Sequence, residues 1–134
     1  MKNFEEMGFT PGILKAISEL GFEQPMPVQE NVIPLMLGDD CDIIALAQTG
    51  TGKTAAFGLP LVQATDTETN DTQALILCPT RELCMQVHGI AQKLVHRFHW
   101  IVPGYIMGGE NRAKEKARLR KGISFMIRGF FVCT

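Results

Sequence analysis

The sequence predicts an α/β fold, a mostly parallel sheet with flanking helices. Two observations carry that prediction. Short apolar runs at 42–47, 74–78, 100–107 and 123–127 alternate with segments of helical periodicity, the pattern of βαβ units. The first of these runs opens into a glycine-rich loop that continues as a helix, the order that a phosphate-binding strand–loop–helix requires. The 134 residues, 46% of them hydrophobic, suit one domain with its own core.

The elements follow in chain order. Thr10 as N-cap and Pro11 at the first helical position start a helix. Its Ile13, Leu14, Ile17 and Leu20 share a face, and Gly21 ends it. A second helix spans 28–37 with Val28, Val32, Leu35 and Met36 on its apolar side. Pro34 within it predicts a kink or an early end, and Gly38-Asp39-Asp40 forms a turn. The run 42–47 reads as a buried strand and 54–64 as the helix after the loop. Residues 65–73 are polar throughout and read as a surface loop. Residues 74–78 are a second buried strand and 81–98 a long amphipathic helix. Residues 100–107 form a third strand, weakened or placed at an edge by Pro103. A charged helix at 111–121 and a fourth strand at 123–127 complete the series.

Net charge is −1, yet its distribution is uneven. Residues 1–80 hold 3 Lys/Arg and 11 Asp/Glu, and residues 81–134 hold 10 Lys/Arg and 3 Asp/Glu. Such asymmetry prompts a search for a polyanion-binding face. No apolar run reaches the ~18–20 residues of a membrane helix, and the N-terminal residues lack the long apolar stretch of a secretory signal. Cys41, Cys78, Cys84 and Cys133 show no CxxC pair and read as thiols of a reducing compartment. His88, His96 and His99 have no carboxylate or cysteine at metal spacing, and no Ser/His/Asp arrangement stands out.

The strongest chemical signal is AQTGTGKT at 47–54. Gly50 and Gly52 let backbone N–H groups curl toward phosphate oxygens with no Cβ in the way. Lys53 supplies a charge for the β- and γ-phosphates, and the Thr54 hydroxyl a Mg²⁺ ligand. The helix that follows aims its positive end at the same anion. Upstream, in GFEQPMPVQ at 21–29, Phe22 offers an aromatic plate. The Gln29 amide can pair with the N6/N7 edge of adenine. Taken alone, a Phe and a Gln are more often a core residue and a surface residue.

Downstream, PTREL at 79–83 joins a strand end to a helix start. Thr80 can cap that helix, while Arg81 in its first turn opposes the dipole. A phosphate backbone bound by Arg81 and the helix-end N–H groups would account for it. Gly108-Gly109 gives either a simple turn or close approach by a ligand. Arg112, Lys114, Lys116, Arg118, Arg120 and Lys121 spread around their helix, which fits a solvated surface as well as an RNA-facing one.

The order and spacing of GFEQPMPVQ, AQTGTGKT, PTREL and Gly108-Gly109 resemble the early motifs of DEAD-box RNA helicases, over about Phe4 to Phe125. The resemblance implies a partial RecA-like, P-loop NTPase fold and ATP-dependent RNA unwinding with ATP and Mg²⁺ as cofactors. ATP would contact Phe4, Phe22, Gln29 and the loop Ala47, Gln48, Thr49, Gly50, Thr51, Gly52, Lys53 and Thr54. Lys53 and Thr54 take the catalytic roles, with Thr54 on the metal. RNA backbone would lie near Pro79, Thr80, Arg81, Glu82, Gly108 and Gly109. Residues 1–38 would be an adenine-recognition region and 39–134 a phosphate-loop core with RNA-contact motifs. The setting implied is cytoplasmic, or nucleolar if the stretch from about Phe98 to Ile123, which is similar to a eukaryotic ribosome-biogenesis subgroup, marks the origin.

Departures from the family pattern set further expectations. Met26 stands where Thr or Ser is usual, and RGFFVCT at 128–134 stands where a TPGR motif would follow. The acidic DEAD motif, the SAT motif and a second RecA-like domain are not in these 134 residues. The chain is therefore expected to be a truncated helicase ATP-binding domain that binds nucleotide without turnover by itself. The alternative is a catalytically inactive nucleotide- or RNA-binding fragment that self-associates through an exposed sheet edge.

Overall fold

The computed structural model describes residues 3–38, 40–48, 50, 52–98, 100–107 and 111–129. They form two compact units, Met1–Ala64 and Thr65–Thr134. No helix among the described residues is long and apolar enough to cross a membrane.

The first unit holds a 3₁₀ turn (Phe4–Met7) and helices α1 (Pro11–Glu19), α2 (Pro27–Gly38) and α3 (Lys53–Ala64). A capping box starts it: Asn3 Oδ1 accepts from the Glu6 N–H at 2.9 Å, and Glu6 Oε2 from the Asn3 N–H at 3.3 Å. Thr10 is the N-cap of α1 with Pro11 at N1, but its hydroxyl makes no capping bond. The Gln63 amide of α3 serves this corner instead. Its Oε1 accepts from the Thr10 N–H at 2.9 Å, and its Nε2 donates to the Gly8 carbonyl at 3.0 Å. Phe4, Met7, Ile13, Ile17, Ile33 and Leu59 fill the core. Pro34 does not end α2, which runs on to Gly38. Proline removes one ladder bond, and the packing of α2 on α3 outweighs that loss.

The strand expected at 42–47 is not formed. Residues 41–48 have no regular structure, and Ile44 and Leu46 are 93% and 94% exposed. The physical reason is lateral. A strand exists through hydrogen bonds to a neighbour, and the described first unit contains no strand for this run to pair with. Apolar composition alone does not supply one.

The second unit contains β1 (Ala74–Cys78), α4 (Arg81–Leu94), β2 (Pro103–Ile106), α5 (Arg112–Arg120) and β3 (Phe125–Gly129). The three described strands form one wholly parallel sheet in the order β1-β3-β2. Register pairs Cys78 with Gly129 and Ile106 with Arg128, so the strands end level with one another. β2 starts at Pro103 and is an edge strand, as a proline without an N–H allows. α4 stops at Leu94 rather than near Phe98. There the chain turns, with the Phe98 N–H on the Val95 carbonyl and the Ile101 N–H on that of Phe98. The turn lets Val95 and Ile101 both bury.

α4 lies on the sheet through Cys84, Val87, Ala91 and Leu94. Its buried His88 donates from Nε2 to the Pro103 carbonyl at 3.2 Å and meets the Tyr105 ring edge-on at 4.7 Å. Arg118 of α5 stacks on the same Tyr105 ring, 4.1 Å from its centroid, and donates to the Tyr105 carbonyl and hydroxyl. Burial pushes the His88 pKa below its ordinary 6.5, the Pro103 bond opposes this, and the Arg118 charge adds to it. The folded state therefore binds this proton less readily than the unfolded chain. The contribution is fully present above about pH 6.5 and is lost as pH falls toward the folded-state value. Urea midpoints measured between pH 7.5 and 5.5 should decline, and the decline should be shallower in His88→Gln; equal slopes would show that His88 is not the group responsible.

Candidate functional site

The phosphate loop is built by the start of α3. Gly50 and Gly52 have φ of +77° and +75°, left-handed conformations that side-chain-bearing residues adopt at a cost. Gly52 is the residue before α3, and its carbonyl accepts from the Ala56 N–H at 3.1 Å. The N–H groups of Lys53, Thr54 and Ala55 open the helix and have no carbonyl to meet within it. They give the loop a positive end suited to an anion. Lys53 is exposed, and its Nζ donates to the Ala47 carbonyl at 2.7 Å. Thr54 is half-buried in the first turn. Thr49 and Thr51 lie outside the described residues.

Gln29 sits against this loop. It is 1% exposed and occupies the third position of α2. Its Oε1 accepts from the Met26 N–H at 2.9 Å, and its Nε2 donates to the Gly52 carbonyl at 3.2 Å. One amide therefore ties the N-terminus of α2 to the N-terminus of α3. An amide has a second hydrogen and a second lone pair on the same atoms, so both partners leave capacity on it. Phe22 is half-buried, after the turn in which its N–H meets the Ile17 carbonyl at 3.2 Å. Phe4 is 5% exposed, its ring covered by the first unit.

Two cavities, of about 580 and 470 Å³, lie beside α2. Both are lined by Val28, Val32, Ile43 and Ala45, and the larger also by Lys53 and Phe57. Phe22, Gln29 and Thr54 line neither. The structure thus brings Gln29, Gly52, Lys53 and Ala47 into one connected group and leaves Phe22 outside it. The Gln63 amide that fixes the Gly8–Thr10 corner had no signal in the sequence, because its partners are more than fifty residues away.

In the second unit, Pro79, Thr80, Arg81 and Glu82 are all exposed where β1 passes into α4. Thr80 Oγ1 accepts from the Leu83 N–H at 3.1 Å, capping the helix as expected. Arg81 occupies the first helical position, where a cation opposes the dipole. β2 ends level with β1, so 79–82 and Met107 follow the strands at the same end of the sheet. That end, beyond the carboxyl ends of parallel strands, is where open α/β sheets bind ligands. Gly108 and Gly109 lie outside the described residues.

The family model for DEAD/DEAH box helicase matches residues 26–129. The chain belongs to the DEAD/DEAH box helicase family. It is 51% identical over 132 residues to DEAD-box ATP-dependent RNA helicase 17 of Oryza sativa subsp. japonica, covering 93% of this chain and 22% of that protein. It is similar to a DEAD box protein from the hyperthermophile Methanococcus jannaschii, with a TM-score of 0.87 at 36% identity, over 95% of this chain and 34% of that one. It is also similar to S. cerevisiae Dbp5 bound to RNA and ADP BeF3, with a TM-score of 0.80 at 30% identity, over 96% of this chain and 32% of that one. The fold is thus that of RecA-like helicase domains, and the chain spans about a fifth of the curated relative's length.

Gly52 offers a test of the loop. A Cβ there would clash with Gln29 Nε2, whereas one at Gly50 would meet nothing within 4 Å. Both substitutions to Ala carry left-handed strain of ~1–3 kcal/mol, but only Gly52→Ala must also displace the buried amide. Its loss in thermal stability should exceed that of Gly50→Ala; equal losses would show that the Gln29 contact contributes nothing.

Proposed function

We propose that this chain is the ATP-binding portion of an ATP-dependent RNA helicase. The observation that supports this most directly is the loop at 47–54: two left-handed glycines and a helix N-terminus with Lys53 beside it, in a member of this family. Lys53 would exchange the Ala47 carbonyl for β- and γ-phosphate oxygens. The N–H groups that open α3 would take the remaining phosphate charge, and the Thr54 hydroxyl would hold a phosphate-bound Mg²⁺. Adenine would be read by the uncommitted hydrogen and lone pair of the Gln29 amide, with Phe22 as its stacking plate and Phe4 behind them. Because Gln29 is buried, that pairing requires its surroundings to open. RNA would run along the carboxyl edge of the sheet, its backbone on Pro79, Thr80, Arg81 and Glu82 and on Gly108 and Gly109. Phosphoryl transfer depends mainly on positioning and charge stabilisation, and these residues supply the phosphate-binding share. A cytoplasmic setting fits the same reading.

The alternative of an inactive, self-associating fragment is not favoured, since relatives such as DEAD-box ATP-dependent RNA helicase 17 are ATP-dependent RNA helicases. Self-association itself has one observation in its favour: β1 is an edge strand whose Leu75 and Leu77 are 62% and 54% exposed.

A fluorescent ATP analogue titrated into the 134-residue chain should bind at least tenfold more weakly to Lys53→Ala than to the wild type; equal affinity would overturn the assignment of the loop. Size-exclusion chromatography at rising concentration should show larger species that Leu75→Glu reduces, and a monomer at every concentration would sink self-association.

A further inference from the structure

α5 is a helix without a buried apolar face. None of its residues is buried. Arg118 holds it to β2 through Tyr105, and Glu115 Oε1 accepts from the N–H of Met107, the residue after β2, at 3.2 Å. Glu115 and Arg118 are also its only half-buried residues, so they mark the inward face.

The rest of the helix is exposed and cationic. Six of the ten basic residues between 65 and 134 fall within 112–121. Arg112, Lys114, Lys116, Arg120 and Lys121 are exposed, and none has a carboxylate partner among the described residues. At 3.6 residues per turn, Arg112, Lys116 and Arg120 form one ridge about 12 Å long. Lys114 and Lys121 form a second, roughly 100° or more around the helix from the first. Ala113 and Ala117, both exposed, lie between the two rows as a low floor. Arg112 and Lys114 in the first turn oppose the dipole, and i,i+4 repulsion along the first ridge adds to the cost. An isolated helix would be disfavoured by this arrangement, whereas a polyanion laid along the floor would offset both terms.

We propose that the outward face of α5 binds the phosphate backbone of single-stranded RNA, in addition to the contacts at 79–82. The proposal rests on the reading that this chain meets RNA. Single-stranded backbone is the occupant that the surface fits: a regular line of negative charge, to be met by two rows of cations with room between them and no aromatic to read bases. Such binding is independent of sequence and strongly dependent on salt.

The test uses the whole 134-residue chain and a fluorescein-labelled polyuridylate of about twenty nucleotides, with Kd measured across salt concentrations. The variant Arg112→Ala/Lys114→Ala/Lys116→Ala/Arg120→Ala should bind at least tenfold more weakly. Its log Kd against log salt slope should fall by about 2 to 3, at roughly 0.7 for each phosphate no longer neutralised. Lys116→Gln alone should lower the slope by about 0.7, which keeps the test decisive if the fourfold variant misfolds by circular dichroism. Nucleotide affinity should be unchanged in both variants. If Arg81→Ala weakens RNA binding while the α5 variants leave Kd and slope intact, the α5 proposal fails and the functional reading stands. If the wild type binds nucleotide but no RNA, the RNA reading and this proposal fail together. If polyglutamate of equal charge competes as well as the polyuridylate, an acidic protein is the better occupant and the proposal is overturned.

Discussion

The carbonyl of Gly52 takes two hydrogen bonds, one from each of two helices. The Ala56 N–H closes the first turn of α3 upon it, and the Gln29 amide reaches it from the first turn of α2. Each is worth about 1 kcal/mol net, but a buried amide left without partners would cost ~1–3 kcal/mol. The geometry demands a residue with no Cβ and a left-handed backbone, and glycine meets both demands at once. The direction of the N–H groups that open α3, the reach of Lys53 and the burial of Gln29 all depend on that junction.

The second unit solves a different problem with a parallel sheet. Its strands end level, so their carboxyl ends lie side by side although they are far apart in sequence. α4 covers the sheet through an apolar face and carries its exposed Thr80-Arg81 start to those ends. Apolar packing therefore fixes where the polar residues stand. Tyr105 joins the two kinds of contact, with buried His88 at its edge and the Arg118 guanidinium over its face.

Much of this was legible in the sequence, for local reasons. The Thr80 cap, the helix after the phosphate loop, the edge position of Pro103 and the strand at 74–78 follow from residues within a few positions of one another. The strand expected at 42–47 failed because apolar composition records a tendency to be covered, and strand formation also needs a partner that the sequence of the run does not specify. The end of α4 was set by Ile101 entering the core, a contact beyond the helical repeat. In the candidate site, Gln29 and Gly52 were each singled out, yet their contact spans twenty-three positions and no spacing rule connects them. The Gln63 clasp was invisible for the same reason.

The way α5 is attached bears on how this unit comes apart with heat. Helices that bury apolar side chains contribute strongly to the heat-capacity change of unfolding, which ties their melting to that of the core. α5 buries no residue and is held by a guanidinium over a ring and a carboxylate on one backbone N–H. Its release exposes little apolar surface, so it belongs to the low end of the local-opening spectrum, where amide hydrogens exchange well before the sheet gives way. A cationic segment held in this way can detach while the sheet beneath it stays folded.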